Sequence, residues 1–213
     1  MIDVIAVERE YGSGAGTIAK KLADRLGWSL WDRQITSEIA RRLKCDVRAV
    51  EQREERLDSG FYRLAKIFMR GSFEQAYTGT GLELLDAEGL SRIFEKVIKD
   101  IASKGKCVIV GRAAPYFLRE RPNTFSVFIF APYEEKLRRL LALGNTRAEA
   151  ENLLETVDEE RAAFIKRYYN NVWPKRDLYH AMLNSKVGDQ TVIDVILAEI
   201  GILDHAASES QPA

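Results

Sequence analysis

Cysteine and histidine are scarce in this chain of 213 residues: it has two cysteines, Cys45 and Cys107, and two histidines, His180 and His205. The cysteines lie far apart and fit neither a metal-ligand spacing nor a disulfide framework. Free thiols in a reducing cytoplasm are expected, and a histidine-rich zinc site is not. No window approaches the 18 uninterrupted apolar residues of a membrane span. The opening MIDVIAVERE carries acids where a secretory signal needs bases. A cytoplasmic protein without a membrane partner is therefore expected. Neither charge is in excess, because Lys+Arg and Asp+Glu both number 32. A nucleic-acid partner is not expected at that balance, so any anion recognition must rest on local clusters. Internal repeats and low-complexity linkers are also missing.

What is present reads as a globular α/β chain, with 46% hydrophobic and 30% charged residues. IDVIAV at 2–7 is β-branched and stops at charged residues, which predicts a short buried strand. A glycine-rich turn follows at 12–16. Ile18, Leu22 and Leu26 then share one helical face, and Gly27 supplies a stop. WSLWD at 28–32, CVIVG at 107–111, FSVFIF at 125–130 and YHAMLNS at 179–185 predict further strands. Between them lie helical patterns: 34–104 with breaks near Ser59-Gly60 and across 77–89, a helix opening after Ala131-Pro132, and a long charged helix to about Tyr169. Asp46 is placed to cap a helix reaching about Leu57. Thr146 and Glu149 are spaced as a capping box. TVIDVILAEIG predicts a final amphipathic helix. The domain is expected to span 1–205, with a helical insertion at about 34–104, a lid at about 145–178 and a disordered tail at 206–213. Strand, glycine loop, helix, strand is the opening of a parallel α/β domain.

Gly12, Gly14 and Gly16 alternate with Ser13 and Ala15. Such a loop can aim successive backbone N–H groups at one anion, since glycine accepts positive φ and admits close approach. A helix starting near Ala15 adds its positive end. The loop departs from G-x-x-x-x-G-K-[ST]. Aligned on the following helix, Arg9 stands at the first glycine, Ala15 at the lysine and Gly16 at the Ser/Thr. Thr17 comes one position late, within reach of a phosphate or a metal-bound water. Arg9 is the preferred source of the missing positive charge, and Lys20 is the alternative. A tight structural turn is the competing reading.

VEREYGSGAGTIAKKLADRLG with WDRQI, CVIVGRAAPYFL, FIFAPYEEKLRRL, ERAAFIKRYYN and DLYHAMLNSKVG together resemble the cytidylate kinase-like family, relatives of the P-loop nucleoside monophosphate kinases. The resemblance implies a three-layer P-loop NTPase-type parallel sheet flanked by helices, a helical acceptor-binding section and a basic lid. It implies ATP as donor, Mg²⁺, and a small-molecule nucleotide such as (d)CMP as acceptor. Gly12, Ser13, Gly14, Ala15, Gly16 and Thr17 would hold the donor phosphates, with Thr17 the candidate near the metal. Arg112 stands where the kinases have G-R-D, but Ala113 replaces the acid. Arg161 and Arg167 match the arginine-bearing lid, although on a straight helix they lie about 240° apart. With Arg9 and Arg112 they would neutralise the transferred group, as arginine's planar fork suits phosphate oxygens. Asp32 would orient the acceptor or cap the next helix, and Arg33 and Arg41 would hold the acceptor. Lys136, Arg138 and Arg139 read more simply as a charged helix surface. The apolar stretch Phe61–Phe73 reads as core or as a homodimer surface. The alternative function is a non-catalytic nucleotide-binding regulator with a degenerate loop.

Overall fold

The computed structural model describes residues 1–32, 34, 35, 38 and 87–209. Arg33, Arg41, Asp46 and the apolar stretch Phe61–Phe73 lie outside the described residues. Five parallel strands form one sheet: β1 Val4–Arg9, β2 Ser29–Trp31, β3 Cys107–Val110, β4 Thr124–Phe130 and β5 Ala181–Asn184, in the spatial order β2-β3-β1-β4-β5. Among the described residues the helices include α1 Ala15–Leu26, α2 Ala87–Ala102, α3 Ala114–Phe117, α4 Tyr133–Ala142, α5 Arg147–Tyr169 and α6 Asp189–Glu209. Successive strands leave β1 first toward one edge and later toward the other. The reversal falls beside β1, where an open parallel sheet leaves a crevice beyond its carboxyl ends.

β1 is buried along all six residues, as a strand covered on both faces must be. Its side chains alternate with the period of two. Val4 and Ala6 pack with Ile109, with Phe94 and Ile98 of α2, and with Phe164 and Ile165 of α5. Ile5 and Val7 pack with Val108 and Val110, with Ile18 and Leu22 of α1, and with Val192 and Ile196 of α6. β1 also runs past the charged residues at which the sequence pattern ends it. Glu8 pairs with Phe128 and Arg9 with Ile129 of β4, because the backbone ladder continues whatever the side chains carry.

A third cluster joins the glycine loop to two helices. Tyr11 packs with Leu137 and Leu140 of α4 and with Ala150, Leu154 and Val157 of α5. α5 begins with the expected capping box: Thr146 Oγ1 accepts from the Glu149 amide at 3.3 Å, and Glu149 Oε2 accepts from the Thr146 amide at 2.8 Å. The last helix corrects the expected tail. α6 continues to Glu209, so residues 206–209 are helical. Ala206, Ala207 and Glu209 favour helix, and Asp204 ties this end down by accepting from the Ile2 amide at 2.6 Å. Among the described residues, no helix is long and apolar enough to cross a membrane.

Candidate functional site

The glycine loop runs from the end of β1 to the start of α1. Gly12 and Gly14 take left-handed φ values of 71° and 77°. Gly14 caps α1 through its backbone, and no side chain caps the helix. The Thr17 and Ile18 amides both reach the Gly14 carbonyl, at 3.1 and 3.2 Å. The amides of Gly12, Gly14, Ala15 and Gly16 have no acceptor among the described residues. Donors left over at a helix start form an anion site when the loop lets a ligand come close. The loop borders an open cleft of about 290 Å³, walled also by Arg9, Arg161, Arg139 and Leu143.

Beneath the loop three arginines are buried together. Arg9 is 5%, Arg112 1% and Arg161 6% exposed, beside Glu8 at 3% and Asp32 at 4%. They come from the end of β1, the turn after β3, the middle of α5 and the end of β2, four chain-distant positions brought together at the carboxyl end of the sheet. Arg9 Nη1 donates to Glu8 Oε1 at 3.1 Å. Arg161 Nη1 donates to the Arg9 carbonyl at 3.1 Å and to Asp158 Oδ1 at 2.8 Å. Asp158 in turn accepts from the Tyr11 amide at 3.0 and 3.1 Å. One turn of α5 thus grips the peptides on either side of Glu10. Burial, then the neighbouring Arg9, pushes Arg112 down to about 9, with Asp32 opposing the shift. Arg112 therefore stays protonated at neutral pH. Burial and Arg9 lower Arg161 too, against Asp158.

The turn that carries Arg112 is strained. Gly111, Arg112 and Ala113 follow one another at φ of 68°, 58° and 55°, a region unfavourable to side-chain-bearing residues. Gly111 has a second reason to be glycine. An ideal Cβ there would lie 2.0 Å from Arg9 Nη1 and 2.6 Å from its Cζ. The Arg9 guanidinium occupies the space that the missing side chain leaves.

Of the residues singled out by sequence, Arg9, Arg112, Arg161 and Asp32 converge at this end of the sheet, and Gly12 to Thr17 form the loop above. Thr17 is exposed on the cleft wall. Arg167 is exposed on another side of α5, as its spacing from Arg161 predicts. Lys20 pairs with Asp24 at 2.7 Å along the surface of α1, away from any role as loop cation. The charged-surface reading holds for Arg138, whose partner is Glu135 at 2.7 Å, but not for Arg139. Arg139 reaches the loop itself and donates to the Ser13 carbonyl. Sequence reasoning also passed over Glu8, Asp158 and Ser185. Asp158 had one local signal, its i,i+3 spacing to Arg161, and Ser185 had none.

The family model for the cytidylate kinase-like family matches residues 4–187. The chain belongs to that family. No curated sequence relative matches it. Among solved structures, an uncharacterized protein from Eubacterium ventriosum ATCC 27560 is 24% identical with a TM-score of 0.63, covering 94% of this chain and 99% of that one. A gluconokinase from Sinorhizobium meliloti 1021 is 13% identical with a TM-score of 0.55, covering 98% of each chain. These likenesses fix the fold as that of the P-loop kinases. The cytidylate kinase-like chain shares that fold while lacking the loop lysine.

Proposed function

We propose that the protein is an ATP-dependent phosphotransferase acting on a small molecule, with a (d)CMP-like nucleotide as the first acceptor to test. The carrying observation is the run of loop amides without protein acceptors, set above three buried arginines. Two further donors at this place fit the same reading. Arg9 Nε and Ser13 Oγ are buried without a hydrogen-bond partner among the described residues. Unsatisfied buried donors cost about 1–3 kcal/mol each, and phosphate oxygens are acceptors that would recover that cost.

In this reading Gly12, Gly14, Ala15 and Gly16 bind the donor phosphates by backbone alone. Arg9 and Arg161, which wall the cleft, neutralise the transferred group, and Arg112 adds positive potential from below. Such a constellation works by positioning and charge stabilisation rather than by covalent chemistry. Asp32, at the carboxyl end of β2, is the candidate to orient the acceptor hydroxyl. Arg33 and Arg41 remain proposals from sequence for the acceptor side. No group of three or more His, Cys, Asp or Glu side chains that could hold a metal lies among the described residues. This is compatible with Mg²⁺, which is commonly held by one or two carboxylates together with substrate phosphates and water. Thr17 and Asp32 are the side chains proposed to hold it, and the ion would supply positive charge to the phosphates.

The test is ATP turnover with Mg²⁺ across a panel of nucleoside monophosphates, with a thermal shift by ATP measured in parallel. Turnover of a pyrimidine monophosphate is expected. A ligand at one hundred times its Kd stabilises by about 2.7 kcal/mol, so ATP binding is visible even without an acceptor. A shift without turnover would favour the regulatory alternative, for which the missing lysine and Ala113 argue. Absence of both the shift and the turnover would overturn both readings.

A further inference from the structure

The Ser13 carbonyl is held from two sides. Arg139 Nη1, from α4, donates to it. Ser185 Oγ, from the turn after β5, donates to it at 2.6 Å. The two holders also bind each other: Arg139 Nη1 reaches Ser185 Oγ at 2.9 Å, and Nη2 reaches the Ser185 carbonyl at 3.2 Å. Glu135 steadies Arg139 from its own helix, with its Oε1 3.0 Å from Nε. Ser185 is completely buried, so this is not a surface contact. Gly14 makes room for it, since a Cβ there would lie 2.9 Å from Arg139 Nη1.

A trans peptide points its C=O and N–H in opposite directions. Fixing the Ser13 carbonyl therefore fixes the Gly14 N–H, one of the amides without a protein acceptor. The chain has Ala15 where the aligned P-loop has lysine, so nothing at that position can tether the loop. We propose that Arg139 and Ser185 are positioning residues of the phosphate site. They pin the Ser13–Gly14 peptide, so that the loop amides are aligned before the ligand arrives. Preorganised donors gain affinity because no ordering is left to do on binding. The proposal rests on the phosphotransferase reading and adds to it the residues that keep a lysine-less loop in shape.

The experiment compares wild type, Ser185→Ala, Arg139→Ala and Arg139→Lys. Inorganic tripolyphosphate binding is measured by calorimetry, and amide exchange at Gly14 by NMR on the free protein. Ser185→Ala is the gentlest variant and keeps the fold testable if Arg139→Ala does not fold. Ser185→Ala is expected to weaken tripolyphosphate at least tenfold and to speed exchange at Gly14. Arg139→Lys is expected to recover only part of the loss of Arg139→Ala, because an ammonium cannot fork between Ser13 and Ser185. In turnover the KM for ATP rises while the KM for the acceptor stays. Wild-type affinity in Ser185→Ala overturns the proposal, whether or not exchange at Gly14 changes. Absence of binding to wild type overturns the phosphotransferase reading itself, a result read without any variant.

Discussion

Replacing Gly111 by alanine tests how the arginine cluster is built. Two penalties are expected. The residue sits at φ 68°, where a Cβ costs roughly 1–2 kcal/mol, partly offset by about 0.4–1 kcal/mol of lost freedom in the unfolded chain. The new methyl also falls 2.0 Å from Arg9 Nη1. A guanidinium can normally swing aside, but this side chain is only 5% exposed and is paired with Glu8 at 3.1 Å. Moving it breaks a buried ion pair; removing one partner outright costs about 3–5 kcal/mol, and displacing Arg9 while it keeps its charge costs somewhat less, about 2–4 kcal/mol. The sum is about 3–5 kcal/mol, a large part of the 5–15 kcal/mol typical of a domain. Urea unfolding of Gly111→Ala gives the loss, and the same substitution in an Arg9→Ala background isolates its cause. With Arg9 truncated, only the backbone strain of about 1 kcal/mol should remain, a coupling of about 2–4 kcal/mol between sites in contact. Equal losses in the two backgrounds would refute the claim that Gly111 exists to seat Arg9.

Ala113→Gly should raise stability by at most about 1 kcal/mol, measured by thermal unfolding, since glycine relieves roughly 1–2 kcal/mol of strain at φ 55° but adds about 0.4–1 kcal/mol of freedom to the unfolded chain; a loss would show that the buried Ala113 methyl packs more than it strains. Arg161→Lys should lower turnover by about 10²-fold while ATP binding survives, because an ammonium keeps the charge but not the fork that also holds Asp158; steady-state kinetics with unchanged kcat would contradict this. The Thr146 hydroxyl and amide hold the Glu149 carboxyl below its ordinary 4.5. Its contribution is therefore present above pH 4.5 and lost as pH falls through the lowered value. The Tm of Glu149→Gln should depend less on pH between about 5 and 3 than that of wild type, and parallel curves would rule the capping carboxylate out as a source of acid sensitivity.

The sequence by itself determined the frame. Apolar runs such as VIAV and CVIV suit strands buried on two faces, as in a covered parallel sheet, and glycines between a strand and a helix leave backbone donors at the helix start. It also determined that Arg161 and Arg167 part company, because helical spacing alone separates them. Tertiary structure decided the rest, for reasons of distance along the chain. Glu8 and Arg9 look like the end of a strand, yet the ladder with β4 carries them inside, and Gly111, some hundred positions later, opens the space that Arg9 fills. Arg139 and Arg138 are neighbours with the same local pattern. Both pair with Glu135, but Arg138 stays on the surface, while Arg139 reaches on to Ser13 and Ser185. No local rule separates them, because the difference lies in which face of α4 the fold turns toward the glycine loop.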